Sequence, residues 1–405
     1  MSSLKLTGVN KTFPSGERAL FDINLETADK EFIVIAGGEN SGKSTLLRVI
    51  AGLEEVSSGS VFIDGKDVTE TEPKDRDIAM VFKSSTLYPA LNVFDNMAFG
   101  LRLRKAPEAL VQERVKVAAN VLGLNEVLYR KPKVLTSAAK QRVAIGRAMV
   151  REPKLYLFDE PLSGLDEKLR LDMLNIIINL QARLEGTFIY TTKNLSEALT
   201  IGTRIVVMKN GFIQQIDTPA NLYDYPANTY VAFFIGSPTV NFIKKAKIVS
   251  ADGGYKAVFA GGEFTLPENI VKRFVNVADY ADKDIYVTLG LRPEDCKVKA
   301  GGVLKGKVTG VEGEEEKYAE IEITPDICLN VSCGDGLSKG EEAEVEADLS
   351  RLYIFDAKTC LTLLVKDGGY NDTGLAGSDF APLPYDEEEE IYENSKPKKA
   401  QKKKK

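Results

Sequence analysis

Eight residues, Gly37-Gly38-Glu39-Asn40-Ser41-Gly42-Lys43-Ser44, restrict what this chain can fold into more than any other stretch. The apolar run Phe32-Ile33-Val34-Ile35 precedes them, and the helix-like run Thr45-Leu46-Leu47-Arg48-Val49-Ile50 follows. A buried strand that enters a glycine-rich turn and leaves as a helix aims successive backbone N–H groups at one point, with the positive end of the helix dipole behind them. Such a cradle suits phosphate. The spacing puts Lys43 on the β and γ phosphates and the Ser44 hydroxyl on Mg²⁺. A glycine-rich turn alone is usually just a turn; the full spacing, with Lys-Ser between strand and helix, makes this one specific.

A chain of 405 residues exceeds one typical core, so two or three domains are expected. With 43% hydrophobic and 28% charged residues it reads as an ordinary globular protein, and a net charge of -6 argues against a nucleic-acid partner. The first residues, Met1-Ser2-Ser3-Leu4-Lys5-Leu6, carry no apolar leader, and no run approaches the roughly 20 apolar residues that span a bilayer. A cytoplasmic location is expected. The chain has no histidine, which removes every imidazole-based catalytic scheme. Its four cysteines, Cys296, Cys328, Cys333 and Cys360, fit no zinc spacing and read as reduced structural thiols.

Along the chain, Leu4 to Leu25 alternates around Gly16 as a hairpin beside the nucleotide. Phe13 lies where an aromatic could stack on adenine, although an aromatic in such a strand is more often a core residue. Small antiparallel strands follow, with turns at Ser57-Ser58-Gly59-Ser60 and Asp64-Gly65. Asp77 to Phe82 is a buried strand ending at Lys83; helices are then expected at Val93 to Leu103, Pro107 to Leu122 and Gln141 to Val150. Lys154 to Pro161 is a strand that delivers Asp159 and Glu160 at its end, the place for a Mg²⁺ ligand and a water-activating base. Leu171 to Leu184 is an amphipathic helix, Thr187 to Tyr190 another core strand, and Asn210-Gly211 the turn of a last hairpin. This alternation specifies an α/β fold with a mostly parallel sheet.

From about Ile235 the pattern becomes short β segments punctuated by glycines, as in a small barrel-like all-β domain. The expected divisions are a nucleotide-binding domain at 1–234, with a helical subdomain at about 84–150, an all-β domain at 235–365, and a charged, disordered tail at 366–405. That tail holds an acidic run at Asp386 to Glu390 and ends in lysines. A solvated tail is the simple reading; contact of the lysines with anionic headgroups is the alternative.

The order of elements, together with Ser44 to Glu54, Arg76 to Phe82, Gln141 to Ala148 and Leu157 to Asp166, resembles the ATP-binding subunit of ABC transporters, specifically the maltose-type sugar importer ATPases. The resemblance extends to about residue 365, through Phe234-Ile235-Gly236-Ser237-Pro238, Leu289 to Glu294 and Phe355-Asp356. It implies a P-loop nucleotide-binding domain with an antiparallel β subdomain and a helical subdomain, followed by an OB/TOBE-type β domain. It also implies ATP and Mg²⁺ as cofactors, a head-to-tail dimer, a groove for a short permease helix, and a solute-binding protein acting indirectly. The location this implies is peripheral, on the inner face of the cell membrane through the permease subunits. On matching positions Asp159 holds Mg²⁺ through water, Glu160 polarises the attacking water, Ser163-Gly164-Leu165-Asp166 couples the two sites, and Phe13 stacks on adenine.

Four places depart from the family pattern. Lys83 replaces a glutamine that touches Mg²⁺, and an ammonium cannot ligate a cation. Lys193, followed by Asn194 where aspartate is common, replaces a histidine that donates to the γ-phosphate. Solvent-facing lysines at both positions are the simple alternative. The signature Leu-Ser-Gly-Gly-Gln reads Leu135-Thr136-Ser137-Ala138-Ala139, where the Ala138 methyl and the Ser137 side chain are expected to hinder approach to a partner's γ-phosphate. Glu39 brings a carboxylate to the phosphate loop. Losing one preorganised donor typically costs about 10²–10³ in rate, so weak hydrolysis is expected while ATP binding persists. Two functions follow: an importer ATPase for sugars or similar polar solutes, or a degenerate nucleotide-binding regulator or scaffold. The partner would be a second copy or an intact paralogue.

Overall fold

A computed structural model describes residues 3–84, 86–184, 186–313 and 317–366. Two compact units divide between Pro219 and Ala220. In the first, a four-stranded antiparallel sheet runs in the order β2-β1-β4-β5, from β1 (Leu4–Thr12), β2 (Arg18–Glu26), β4 (Ser58–Ile63) and β5 (Lys66–Asp67). A six-stranded sheet has the order β10-β9-β3-β8-β7-β6. Its members are β3 (Phe32–Ala36), β6 (Ile78–Val81), β7 (Leu155–Asp159), β8 (Thr187–Thr192), β9 (Arg204–Lys209) and β10 (Phe212–Asp217). All are parallel except the β9–β10 hairpin.

The parallel strands need no amphipathic alternation. Every residue of β3, β7 and β8 is buried, which is why they read as continuous apolar runs. Helix α1 (Lys43–Ala51) leaves the phosphate loop, and its Leu46, Leu47, Val49 and Ile50 share one core with Leu4, Leu20 and Ile23 of the antiparallel sheet and Ile33, Leu157 and Met208 of the parallel one. The loop is thus anchored in an apolar core that joins both sheets of the unit. Helices α2 (Val93–Leu103), α3 (Glu108–Val121) and α4 (Ser137–Met149) intervene between β6 and β7; α5 (Glu167–Leu184) precedes β8, and α6 (Leu195–Ile201) follows it.

Register explains where a site must form. Val81 of β6 pairs with Phe158 of β7, Asp159 with Thr191 of β8, and Thr192 with Ala36 of β3. Four parallel strands therefore end level, and the residues just beyond them, Lys83, Glu160, Lys193 and the loop from Gly37, emerge along one carboxyl edge, where ligands of such sheets collect.

The second unit begins with α7 (Pro219–Asp224) at the boundary and α8 (Thr229–Phe234). The sequence reading assigned 219–234 to the nucleotide-binding domain. The fully buried Arg292 explains the later grouping, because it donates to the carbonyls of Ala232 (2.8 Å) and Tyr223 (3.3 Å) and stacks on the Tyr223 ring. Five strands, β11 (Asn241–Ala251), β12 (Gly254–Phe259), β13 (Gly262–Thr265), β14 (Tyr286–Leu291) and β20 (Tyr353–Asp356), make one sheet. Another five, β15 (Cys296–Val298), β16 (Leu304–Glu312), β17 (Lys317–Thr324), β18 (Ile327–Cys333) and β19 (Glu342–Ala347), close into a barrel. This is the small β-barrel domain expected from the glycine-punctuated segments. Cys296 and Cys360 are buried, but Cys328 is exposed and Cys333 half-buried, so only two of the four thiols are core residues; none is disulfide-bonded. The tail reading falls on 366–405, of which 367–405 lie outside the described residues.

Candidate nucleotide site

The phosphate loop is shaped by backbone sterics. Asn40 (φ 57°) and Gly42 (φ 95°) adopt left-handed conformations, and a Cβ on Gly37 would stand 2.2 Å from the carbonyl oxygen of Met208. Gly37 must be glycine. A second turn supports the loop: Asn210 and Gly211, both at positive φ, form the β9–β10 hairpin turn, and the Gly211 N–H donates to Ser41 O at 3.1 Å. The sequence reading saw that turn only as a hairpin.

Lys43, nearly buried, donates to Gly38 O (2.5 Å) and Ser41 Oγ (2.9 Å). Burial pulls its ammonium below the ordinary lysine range, opposed by the charges of Glu160 and Asp159. Ser44 Oγ donates to Asp159 Oδ1 at 2.7 Å. Asp159 ends β7, while Thr191 on the neighbouring strand donates to the same carboxylate oxygen (3.1 Å) and accepts from the Glu160 N–H (3.0 Å). Thr191 is a positioning residue that the sequence reading missed. A polar residue in a fully buried strand is the signal that would have found it.

Glu160 sits at φ 41°, its carbonyl accepting from Ser163 Oγ at 2.9 Å. Its carboxylate is paired with Lys83, Nζ to Oε2 at 2.7 Å. Lys193 pairs with Glu39 at 2.7 Å. That hydrogen bond, then the lysine charge, holds the Glu39 carboxyl below its usual range, and Glu39 raises the Lys193 ammonium in return. The two lysines are therefore not idle solvated groups; each has a carboxylate at the mouth of the site.

A cavity of about 710 Å³ gathers Phe13, Glu39, Asn40, Ser41, Gly42, Lys43, Ser44, Thr45, Lys83 and Glu160. Half-exposed Phe13 offers a free face, and Lys11 Nζ lies 5.1 Å from the ring centroid. Arg18, absent from the sequence reading, also lines the cavity, as does Gly211, which that reading placed only in a hairpin turn. The oxygen donors fit Mg²⁺: Ser44 and Asp159 converge, and among the described residues no group of three or more Asp, Glu, Cys or His forms a cage of its own, as suits an ion that also takes phosphate oxygens. When bound, Mg²⁺ supplies charge neutralisation to the β- and γ-phosphates.

The signature segment is not among the cavity's lining residues. Thr136 is the N-cap of α4, its hydroxyl accepting from Ala139 N–H at 3.2 Å, so the helix begins at Ser137 and not at Gln141 as the sequence reading had it. Ala138 is 7% exposed and Leu135 8%. Ala138 is thus buried within the chain, while Ser137 is exposed and Ala139 half-buried at the helix start. Ser163 to Asp166 begin three residues after Glu160, with Gly164 at φ 90° and Asp166 capping α5 through Leu169 N–H.

The family model described as ABC transporter matches residues 20–163, from β2 through the loop after β7. The oligosaccharides import ATP-binding protein MsmX of Bacillus subtilis is 44% identical over 369 residues, spanning 89% of this chain and 99% of that protein. The osmoprotective compounds uptake ATP-binding protein GgtA of Synechocystis is 45% identical over 295 residues, covering 73% of this chain and 78% of its own length. Among solved structures, cbiO1 of Clostridium perfringens, part of the ABC transporter complex cbiONQ, superposes with a TM-score of 0.52 at 28% identity, covering 55% of this chain and 90% of that one. With relatives matched over nearly their whole length and the phosphate loop, Asp159 and Glu160 set on one sheet edge, this chain belongs to the family of ABC transporter ATP-binding proteins.

Proposed function

We propose that the chain is the ATP-binding subunit of an importer for oligosaccharides or similar polar solutes, with ATP in the cavity around Lys43. The observation that carries this reading is the convergence of Lys43, Ser44 and Asp159 at a loop whose Gly37 and Gly42 admit no side chain. ATP would bind through the loop amides and Lys43, with Mg²⁺ held by Ser44 and Asp159 and adenine on Phe13. Glu160 would orient water for attack on the γ-phosphate. The relatives named above are transport proteins and give no support to a separate regulator or scaffold.

A permease partner has a candidate seat. Exposed Phe82, Tyr88, Phe99 and Leu103 line a groove with Ala144 and Arg147, between the end of β6 and helices α2 and α4. An amphipathic helix laid in such a groove buries its apolar face. Lys83 directly follows Phe82, so movement there reaches the γ-phosphate position. Among the described residues no helix is long and apolar enough to cross a membrane, and a peripheral place on the inner membrane face would come through this groove. Dimerisation with a second copy or with a paralogue would bring a signature segment to the phosphates, with a solute-binding protein acting only through the permease.

Calorimetry with Mg²⁺-ATP tests the reading: the wild type should bind, and Lys43→Ala should not. Reconstitution with the permease should give turnover that Glu160→Gln removes. Absence of turnover both alone and with the permease would defeat the transport role.

A further inference from the structure

The mouth of the cradle carries an unusual charge balance. Lys43, Lys83 and Lys193 lie among Glu39, Asp159 and Glu160, and among the described residues Lys83 pairs with one carboxylate, the mostly buried Glu160, and Lys193 with one, the exposed Glu39. Building on the nucleotide reading above, we propose that Lys83 and Lys193 are mobile counter-charges for the terminal phosphate of a nucleoside triphosphate, so that this site accepts the triphosphate with little help from a divalent cation.

The geometry makes the exchange favourable. Both lysine side chains are more than half exposed, at 58% and 51%, and exposed ion pairs contribute little. The pair and the bond that replaces it are both charge-assisted, and the terminal phosphate, which carries more negative charge than one carboxylate, attracts the ammonium more strongly. Glu39, Glu160 and Lys83 line the same cavity as Lys43 and Ser44, and Lys193, which does not line it, reaches its edge through the bond to Glu39. Two ammoniums supply the same charge as one Mg²⁺, and Lys83 adds no ligand for the ion.

The two pairs differ in what they leave behind. Glu39 is 77% exposed and is rehydrated when Lys193 departs; Glu160 is only 11% exposed and loses its partner in a largely desolvated place. Lys193 therefore moves more readily, and Glu39 acts as its competitor for phosphate. Lys83 stays longer on Glu160, keeping one carboxylate oxygen occupied.

The test is nucleotide affinity by calorimetry, ATP against ADP, with Mg²⁺ and with EDTA, for wild type, Lys193→Gln, Lys83→Gln, the double variant and Glu39→Gln. Without Mg²⁺, Lys193→Gln should lose about tenfold in ATP affinity, the scale of one charge-assisted hydrogen bond, and Lys83→Gln less. Glu39→Gln should gain, because Lys193 is released. Chelation should weaken ATP binding far less in wild type than in the double variant, while ADP affinity, which also reports intact folding, stays level across the set. Equal losses on chelation in wild type and double variant overturn the proposal, as do equal changes for ATP and ADP. A wild type that binds neither nucleotide even with Mg²⁺ overturns the nucleotide reading itself, and this proposal with it.

Discussion

Arg76 lies away from the phosphates, yet replacing it should disturb them. Its guanidinium is 4% exposed and donates to four backbone carbonyls: Thr71 (2.8 Å), Thr69 (3.0 Å), and Val49 and Ile50 (3.0 Å each) at the C-terminal end of α1. It supplies a positive charge where the dipole of α1 is negative and satisfies acceptors that the helix cannot. Gly52, the left-handed C-cap, gives it room, since a Cβ there would lie 2.5 Å from the Arg76 Nε. In Arg76→Met the Val49 carbonyl keeps the Gly52 N–H, so at least two of the other three stand to lose their partner.

At about 1–3 kcal/mol for an orphaned buried acceptor, the Ile50 carbonyl alone costs about 1–3 kcal/mol of the roughly 5–15 kcal/mol that holds a domain folded, and the half-buried Thr69 and Thr71 carbonyls add less. A melting curve of two units would blur this. Hydrogen exchange of peptides spanning 43–51 reads it directly, because α1 is the helix whose first turn holds Lys43 and Ser44. Protection should fall by about tenfold or more, with weaker ATP binding; Arg76→Lys, which keeps the charge but cannot reach four carbonyls, should fall between. Unchanged protection in Arg76→Met would refute the reasoning that this cation, and not the apolar core alone, secures the end of α1.

Three further outcomes follow from single contacts. Gly37→Ala should abolish ATP binding, since the neighbouring Met208 carbonyl is backbone and cannot yield 1 Å; calorimetry that finds normal affinity would contradict this. Thr136→Ala should cost about 1 kcal/mol through loss of the α4 N-cap, seen as faster exchange in the first turn of that helix. Asp295 is pushed above the ordinary aspartate range by burial, with one carboxylate oxygen unpartnered, so its stabilising neutral form is present below the unfolded value near pH 4 and is lost as pH rises through the higher folded value. The stability difference between wild type and Asp295→Asn should therefore shift against the wild type across that window and stay flat at neutral pH, measurable by exchange in 293–298.

The sequence carried the apolar strands, the phosphate loop and the two carboxylates because each is local: a run of buried residues, a fixed spacing, a strand end. Helix α4 began four residues earlier than read because Thr136 caps it, a signal hidden by treating 135–139 as a motif and not as a helix start. Thr191, Arg76 and the Asn210-Gly211 turn acquire their roles only through pairing across 26 to 170 residues of chain, as when Gly211 donates to Ser41. No window of sequence contains both partners.

The departures teach the same lesson in charge. Taken singly, Glu39 is a carboxylate brought to a phosphate loop and Lys193 a lysine in place of a histidine; 154 residues apart, neither explains the other. In the fold they neutralise one another at 2.7 Å, and the Lys83–Glu160 pair repeats the arrangement. A lysine beside a Mg²⁺ site is unfavourable if the ion is the only way to screen three phosphates. It is favourable if the ammonium itself does the screening and is stored on a carboxylate until needed. The altered residues are thus mutually consistent as a set, and consistency among several departures is what separates a re-tuned site from a decaying one.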